Sequence, residues 1–174
     1  WNKTNPADEK NMIDIASRCL LIEDGDRLIL IDTGMGTKQS DRFFSYYFRW
    51  GDQSFDKALS AVGFCKEDVT DIFLTHLHFD HCGGCVQWNK DRSGYELAFK
   101  NAIVWSNENH WNWAVFSCFA IPMSTHVGMY WSFSALKLYR VSPVRDTQQL
   151  HALGFLPRLT QRFTLTTSHF CHPC

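Results

Sequence analysis

The segment Thr75-His76-Leu77-His78-Phe79-Asp80-His81-Cys82-Gly83-Gly84 constrains this chain more than any other, because it sets four metal-ligand side chains within six positions. It follows directly on Ile72-Phe73-Leu74, the apolar centre of a buried strand expected over residues 69–75. In extended chain, positions i and i+2 point to the same side, so His76 and His78 can reach one ion together. Gly83-Gly84 sustain a strand poorly, so the chain turns and lets Asp80 and His81 aim at a second point nearby. Imidazole and carboxylate suit zinc, with iron or manganese also within their chemistry. Two ions about 3.5–4 Å apart would form a clamp around a bridging water. Such ions lower the pKa of bound water from near 16 toward roughly 7, so hydroxide exists at neutral pH and can attack a carbonyl. Asp80 has a second expected role, orienting the nucleophile and passing its proton on. The competing reading is a polar surface loop. A lone histidine would deserve it, but three of the eight histidines fall here, behind a buried strand.

Elsewhere the pattern predicts a β-hairpin. Cys19-Leu20-Leu21-Ile22 and Arg27-Leu28-Ile29-Leu30-Ile31 are apolar runs separated by Asp24-Gly25-Asp26, whose glycine can take a positive φ. Asp32-Thr33-Gly34-Met35-Gly36 then forms a glycine-rich loop at a strand end. Phe43, Phe44, Tyr47 and Phe48 have helical spacing over 38–50. A second helix is expected over 54–62, with Ser54 as N-cap, Leu59 and Val62 facing inward and Gly63 at its end. A short strand is expected over 102–105, and Asn107 can cap a helix beginning at Glu108.

The 174 residues suffice for one domain with a core, and 45% hydrophobic with 15% aromatic residues is a globular composition. A formal net charge of −1 gives no reason to expect nucleic acid or an anionic membrane as partner. The chain has no run of eighteen apolar residues and no apolar stretch behind Trp1, so neither a membrane span nor a secretion signal is expected, and a cytoplasmic protein acting on a small molecule is. Seven cysteines is an odd number without the spacing of a disulfide framework. Composition changes near residue 115: residues 1–114 hold 17 acids and 12 bases, whereas 115–174 hold Asp146 alone against five bases. The expected organisation is therefore 1–115, carrying the metal loop, and 116–174, a tail of atypical character with weak strand-like alternation at 136–141 and 162–166.

The histidine-rich segment resembles the HxHxDH signature of the metallo-β-lactamase superfamily, and Asp32-Thr33-Gly34 after a strand resembles that family's earlier motif. The resemblance covers roughly residues 13–114. Leu77 and Phe79 followed by Gly-Gly make the segment most similar to lactonase-type members, which open acyl-homoserine lactones. The resemblance implies an α/β fold, part of a four-layer αβ/βα sandwich. It implies that His76 and His78 bind a first divalent metal, Asp80 and His81 a second, both zinc by preference, and that Asp32 braces the metal loop. An ordinary turn or capping role for Asp32 stands beside that one. The implied activity is metal-dependent hydrolysis of an ester-like bond, a lactone first, with thioester (as in glyoxalase II) and β-lactam hydrolysis open.

Members of the family complete the site with a third histidine, a bridging aspartate and a last histidine further downstream. His126 is the candidate for the third histidine, and the surroundings of Asp146 carry no motif. The tail is therefore expected not to be the family's usual second half, as in an altered or incomplete gene product. A rival reading is a metal-binding remnant without catalysis.

Four further features have ordinary explanations. Cys82-Gly83-Gly84-Cys85 reads as small residues filling space beside the metal loop rather than a redox pair. His169-Phe170-Cys171-His172-Pro173-Cys174 has no second pair to close a tetrahedral site, and His110 beside Trp111 reads as a surface or core histidine. The Phe43–Phe48 stripe reads as core, although aromatics near the mouth of such hydrolases can shape an acyl pocket.

Overall fold

The computed structural model describes residues 3–110, 139–141 and 161–173, with side chains over 3–110 and 165–169. The chain begins with the expected hairpin, β1 (Met12–Asp24) and β2 (Arg27–Ile31), which pair antiparallel from Asp24↔Arg27 to Leu20↔Ile31. Gly25 takes φ +58° in the two-residue connection, a conformation that favours glycine. Arg27 and Asp24 close the turn with an ion pair at 3.1 Å.

Next come α1 (Asp41–Ser45), β3 (Arg49–Trp50), α2 (Phe55–Ser60) and β4 (Asp71–Phe73). After these follow α3 (Phe79–Cys82), β5 (Val86–Trp88), β6 (Tyr95–Leu97), β7 (Ile103–Asn107), β8 (Tyr139–Val141) and β9 (Gln161–Pro173). Among the described residues the main sheet has the order β3-β9-β1-β2-β4-β7-β8, and β5 and β6 form a separate antiparallel pair. The run β2-β4-β7-β8 is parallel, whereas β9 lies antiparallel along the length of β1. The architecture is mixed α/β, as expected.

β2 lies inside the sheet, and its Leu28, Ile29 and Leu30 are all buried. That is why it reads as a continuous apolar run instead of alternating. Leu21, Leu30, Ile72, Val104 and Leu165 join Phe55 and Leu59 of α2 and Phe99 in one core cluster. Each fully buried Leu or Phe contributes about 1.5–3 kcal/mol. α2 ends as the residues predict: Ser54 Oγ accepts from the Lys57 N–H at 3.3 Å, and Gly63 takes φ +87°. Asn107 Oδ1 accepts from the Asn109 N–H at 2.8 Å, the expected cap.

The aromatic stripe departs from its expectation. Only Asp41–Ser45 is helical, none of its residues is buried, and Phe48 takes φ +43° as the chain turns into β3. Phe43, Phe44 and Tyr47 are half-buried while Tyr46 and Phe48 are exposed, because these rings pack on one another and on Phe79 instead of entering the core. Among the described residues no helix is long and apolar enough to cross a membrane.

Candidate metal centre

Both motifs lie at the C-terminal ends of adjacent parallel strands, with Ile31 opposite Phe73. Parallel pairing delivers both loops to one edge of the sheet, the usual place for a site in such a layer. The Asp32 N–H donates to the Phe73 carbonyl at 3.0 Å as the chain leaves the ladder. Asp32 then takes φ +60°, which aspartate tolerates better than most side chains.

The loops interlock through backbone. The His81 carbonyl accepts from the Thr33 N–H at 2.6 Å and from Thr33 Oγ1 at 3.0 Å. The Gly84 N–H donates to the Gly34 carbonyl at 3.0 Å. A Cβ on Gly84 would overlap the Thr33 carbonyl oxygen, and one on Gly83 the Met35 carbonyl oxygen. Close approach of two backbones thus explains the Gly83-Gly84 pair.

The four side chains singled out by spacing come together on this platform. His76 Nε2 lies 3.1 Å from His78 Nδ1. The rings of His76 and His81 have centroids 3.9 Å apart. His81 Nε2 is 3.6 Å from Asp80 Oδ2. Asp32 sits beneath them: its Oδ1 accepts from the Thr75 N–H at 2.9 Å, and its Oδ2 lies 2.8 Å from Thr75 Oγ1 and 2.8 Å from His81 Nδ1. Thr75 Oγ1 is also 3.1 Å from His76 Nδ1.

These contacts assign the tautomers. As a carboxylate Asp32 only accepts, so His81 carries its proton on Nδ1 and Thr75 donates its hydroxyl proton to Asp32. Thr75 Oγ1 then accepts from His76 Nδ1–H. In neutral rings both arrangements leave Nε2 as the acceptor atom, 3.1 Å from His78 Nδ1 for His76 and 3.6 Å from Asp80 Oδ2 for His81. Burial, followed by the neighbouring imidazoles of His81 and His78, holds His76 below the usual histidine range and favours its neutral form.

The donor atoms fit divalent metal as two pairs. Two ligands each about 2.0–2.1 Å from a tetrahedral zinc lie about 3.3 Å apart. His76 Nε2 with His78 Nδ1 at 3.1 Å, and His81 Nε2 with Asp80 Oδ2 at 3.6 Å, both lie close to that span. Among the described residues no three His, Cys, Asp or Glu side chains surround a single ion position. His126 and Asp146 lie outside the described residues.

An aromatic wall stands beside the loop. Phe79, between His78 and Asp80, packs edge-on against Phe43 at 5.1 Å and at a tilt against Tyr47 at 5.2 Å. Burial, with a smaller contribution from the Asp80 charge, raises the Tyr47 phenol. Arg49 lies over the Phe44 ring at 4.4 Å.

Cys82 and Cys85 are free and buried, and burial pushes Cys85 to about 11 and Cys82 higher still. They stay thiols at neutral pH and fill space, as the sequence suggests. In the terminal cluster, His169 stacks on Trp50 at 4.4 Å. Residue spacing gives no role to Thr75 or Lys38, whose contacts, with Asp32 and with the Gly83 carbonyl, are tertiary. The only signal for Thr75 was its place at the strand end.

The sequence profile of the Metallo-beta-lactamase superfamily matches residues 13–169. The chain is 32% identical over 84 residues to an N-acyl homoserine lactonase of Bacillus cereus, covering 42% of this chain and 34% of that protein. A Bacillus sp N-acyl homoserine lactonase is 32% identical over 83 residues, covering 42% of this chain and 33% of its own length. A probable metal-dependent hydrolase from Staphylococcus aureus shares the fold at a TM-score of 0.63 and 23% identity, covering 83% of this chain and 52% of the other. The chain thus spans about a third of the curated relatives it matches and about half of the solved structure.

Proposed function

The chain belongs to the metallo-beta-lactamase superfamily, and from that premise we propose that it is a metal-dependent hydrolase of an ester-like bond in a small molecule, a lactone by preference. One observation supports the reading: His76 Nε2 and His78 Nδ1 lie 3.1 Å apart, and His81 Nε2 and Asp80 Oδ2 lie 3.6 Å apart, separations that two ligands of one zinc ion would span. The tautomers of His76 and His81 are held by Asp32, the former through Thr75. Two divalent ions, zinc by preference, would be held by these pairs and would supply Lewis-acid activation of water and carbonyl. Asp32 keeps both imidazoles aimed. Asp80, with a second carboxylate oxygen beyond the one facing His81, orients the nucleophile and takes up its proton. The wall of Phe43, Tyr47 and Phe79 gives an apolar acyl group a surface beside Asp80. That wall and the partial similarity to Bacillus lactonases favour a lactone over a thioester or a β-lactam.

A second reading has its own observation. Among the described residues each pair supplies two ligands and no third, which also suits a metal-binding chain without catalysis. Turnover separates the two. Zinc-loaded protein should hydrolyse an acyl-homoserine lactone faster than a thioester or a chromogenic β-lactam, and His78→Ala should abolish it. Zinc-loaded protein that turns over none of the three, with His78→Ala indistinguishable from wild type, would leave only the non-catalytic reading.

A further inference from the structure

Lys38 is 5% exposed. Lysine is seldom buried without an acidic partner. Here no acid pairs with it among the described residues. Its Nζ donates instead to the Gly83 carbonyl at 2.5 Å, and its own carbonyl accepts from Trp88 Nε1 at 3.0 Å.

The acceptor's position gives this contact its meaning. Gly83 is the C-cap of α3, the four-residue helix that carries Asp80 and His81. Carbonyls at a helix C-terminus lack partners within the helix, so a helix this short is fixed mainly by what meets its ends. The neighbouring groups are tied to the Asp32–Gly34 loop: the His81 carbonyl to Thr33, and the Gly84 N–H to Gly34. Between them, the Gly83 carbonyl is held by a side chain four residues beyond Gly34. Burial holds the amine below the ordinary lysine range, a cost that an apolar residue would avoid.

We infer that Lys38 is a positioning residue for the metal loop, which fixes the end of α3 through the Gly83 carbonyl and thereby the aim of Asp80 and His81. The inference rests on the proposed metal site. It assigns Lys38 no contact with substrate or ion.

The test is zinc affinity, read by competition with a chromophoric chelator on folded protein, together with the visible spectrum of the cobalt(II) form. Lys38→Met keeps the length and apolar stem but leaves the Gly83 carbonyl unpaired. Its zinc affinity should fall about 10- to 100-fold, the usual effect of losing support behind a metal ligand, and the cobalt bands should shift. Removing a positive charge would by itself favour a cation, so weaker binding reports geometry and not charge. A residue that only stabilised the fold would lower the melting temperature and leave both readouts unchanged. If Lys38→Met does not fold, Trp88→Phe releases the lysine backbone by one hydrogen bond, and a loss of about two- to tenfold is expected. Folded variant with wild-type or tighter zinc affinity overturns the inference while the proposed function stands. A wild-type chain that takes up no zinc overturns both.

Discussion

Asp32 and His81, forty-nine residues apart, are joined by a 2.8 Å contact between a carboxylate oxygen and a ring nitrogen. The same carboxylate accepts from both the backbone and the hydroxyl of Thr75, so one side chain from the first motif holds two residues of the second directly and reaches His76 through Thr75. Asp32→Asn should keep the backbone, since asparagine also tolerates positive φ, while losing control of the imidazole tautomers. Zinc affinity should fall about 10- to 100-fold with little loss of stability. Asp32→Ala should add roughly 1–2 kcal/mol of left-handed strain. Chelator competition and urea unfolding measure the two effects separately. Equal affinity in Asp32→Asn and wild type would remove the bracing role.

Gly84→Ala should cost about 3 kcal/mol or more, because the added methyl meets the Thr33 carbonyl, a backbone atom that cannot rotate away. Gly25→Ala meets nothing within 4 Å and should cost only the positive-φ penalty of about 1–2 kcal/mol. Urea midpoints give the comparison. Only Gly84→Ala should also lose zinc, and the opposite ranking would contradict the interlocked loops.

Alkaline pH should destabilise the fold through its buried thiols. Burial raises Cys19 from 9.0 to about 12 and Cys85 from 9.0 to about 11. A raised folded value contributes stability that is complete below pH 9.0 and lost as pH climbs toward 11–12, because the unfolded chain releases protons first. Each thiol contributes a slope of up to about 1.4 kcal/mol per pH unit. The buried Lys38, whose value is lowered, works in the opposite direction over part of this window. Unfolding in urea from pH 8 to 11 should show a falling midpoint whose slope is shallower in a Cys19→Ala/Cys85→Ala variant and shallower still when Cys82→Ala, the third buried thiol with a raised value, is added. A midpoint independent of pH would mean the thiols are not buried as described.

Phe43→Ala removes one face of the aromatic wall against Phe79. If an acyl chain rests there, KM for a long-acyl homoserine lactone should rise about tenfold, the scale of one partly buried aromatic side chain. A short-acyl lactone should be nearly unaffected. Steady-state kinetics across acyl lengths decide the matter, and an equal loss at every length would place the acyl group elsewhere.

The neighbourhood of His76 and His78 was legible because its information is local: i and i+2 share a side of extended chain. The turn that follows was read from Gly83-Gly84, but the chain turns earlier, into α3 at Phe79, and the two glycines serve the close approach of the Thr33–Met35 backbone. The hairpin at Gly25 and the cap at Ser54 were legible from local signals as well. The 38–50 segment was not. Its aromatic spacing matches a helix, but the rings pack laterally on Phe79, which no periodicity encodes. Thr75 and Lys38 stayed silent because their partners, Asp32 and Gly83, are chosen by how two parallel strands meet. His126 lies beyond the described residues.

Metal content by mass spectrometry, on wild type and on two paired variants, tests the central claim most directly. Wild type should carry close to two zinc ions per chain. His76→Ala/His78→Ala and Asp80→Ala/His81→Ala should each lose one, with the melting transition retained. Wild-type zinc content in either folded variant would contradict the assignment of ions to these side chains.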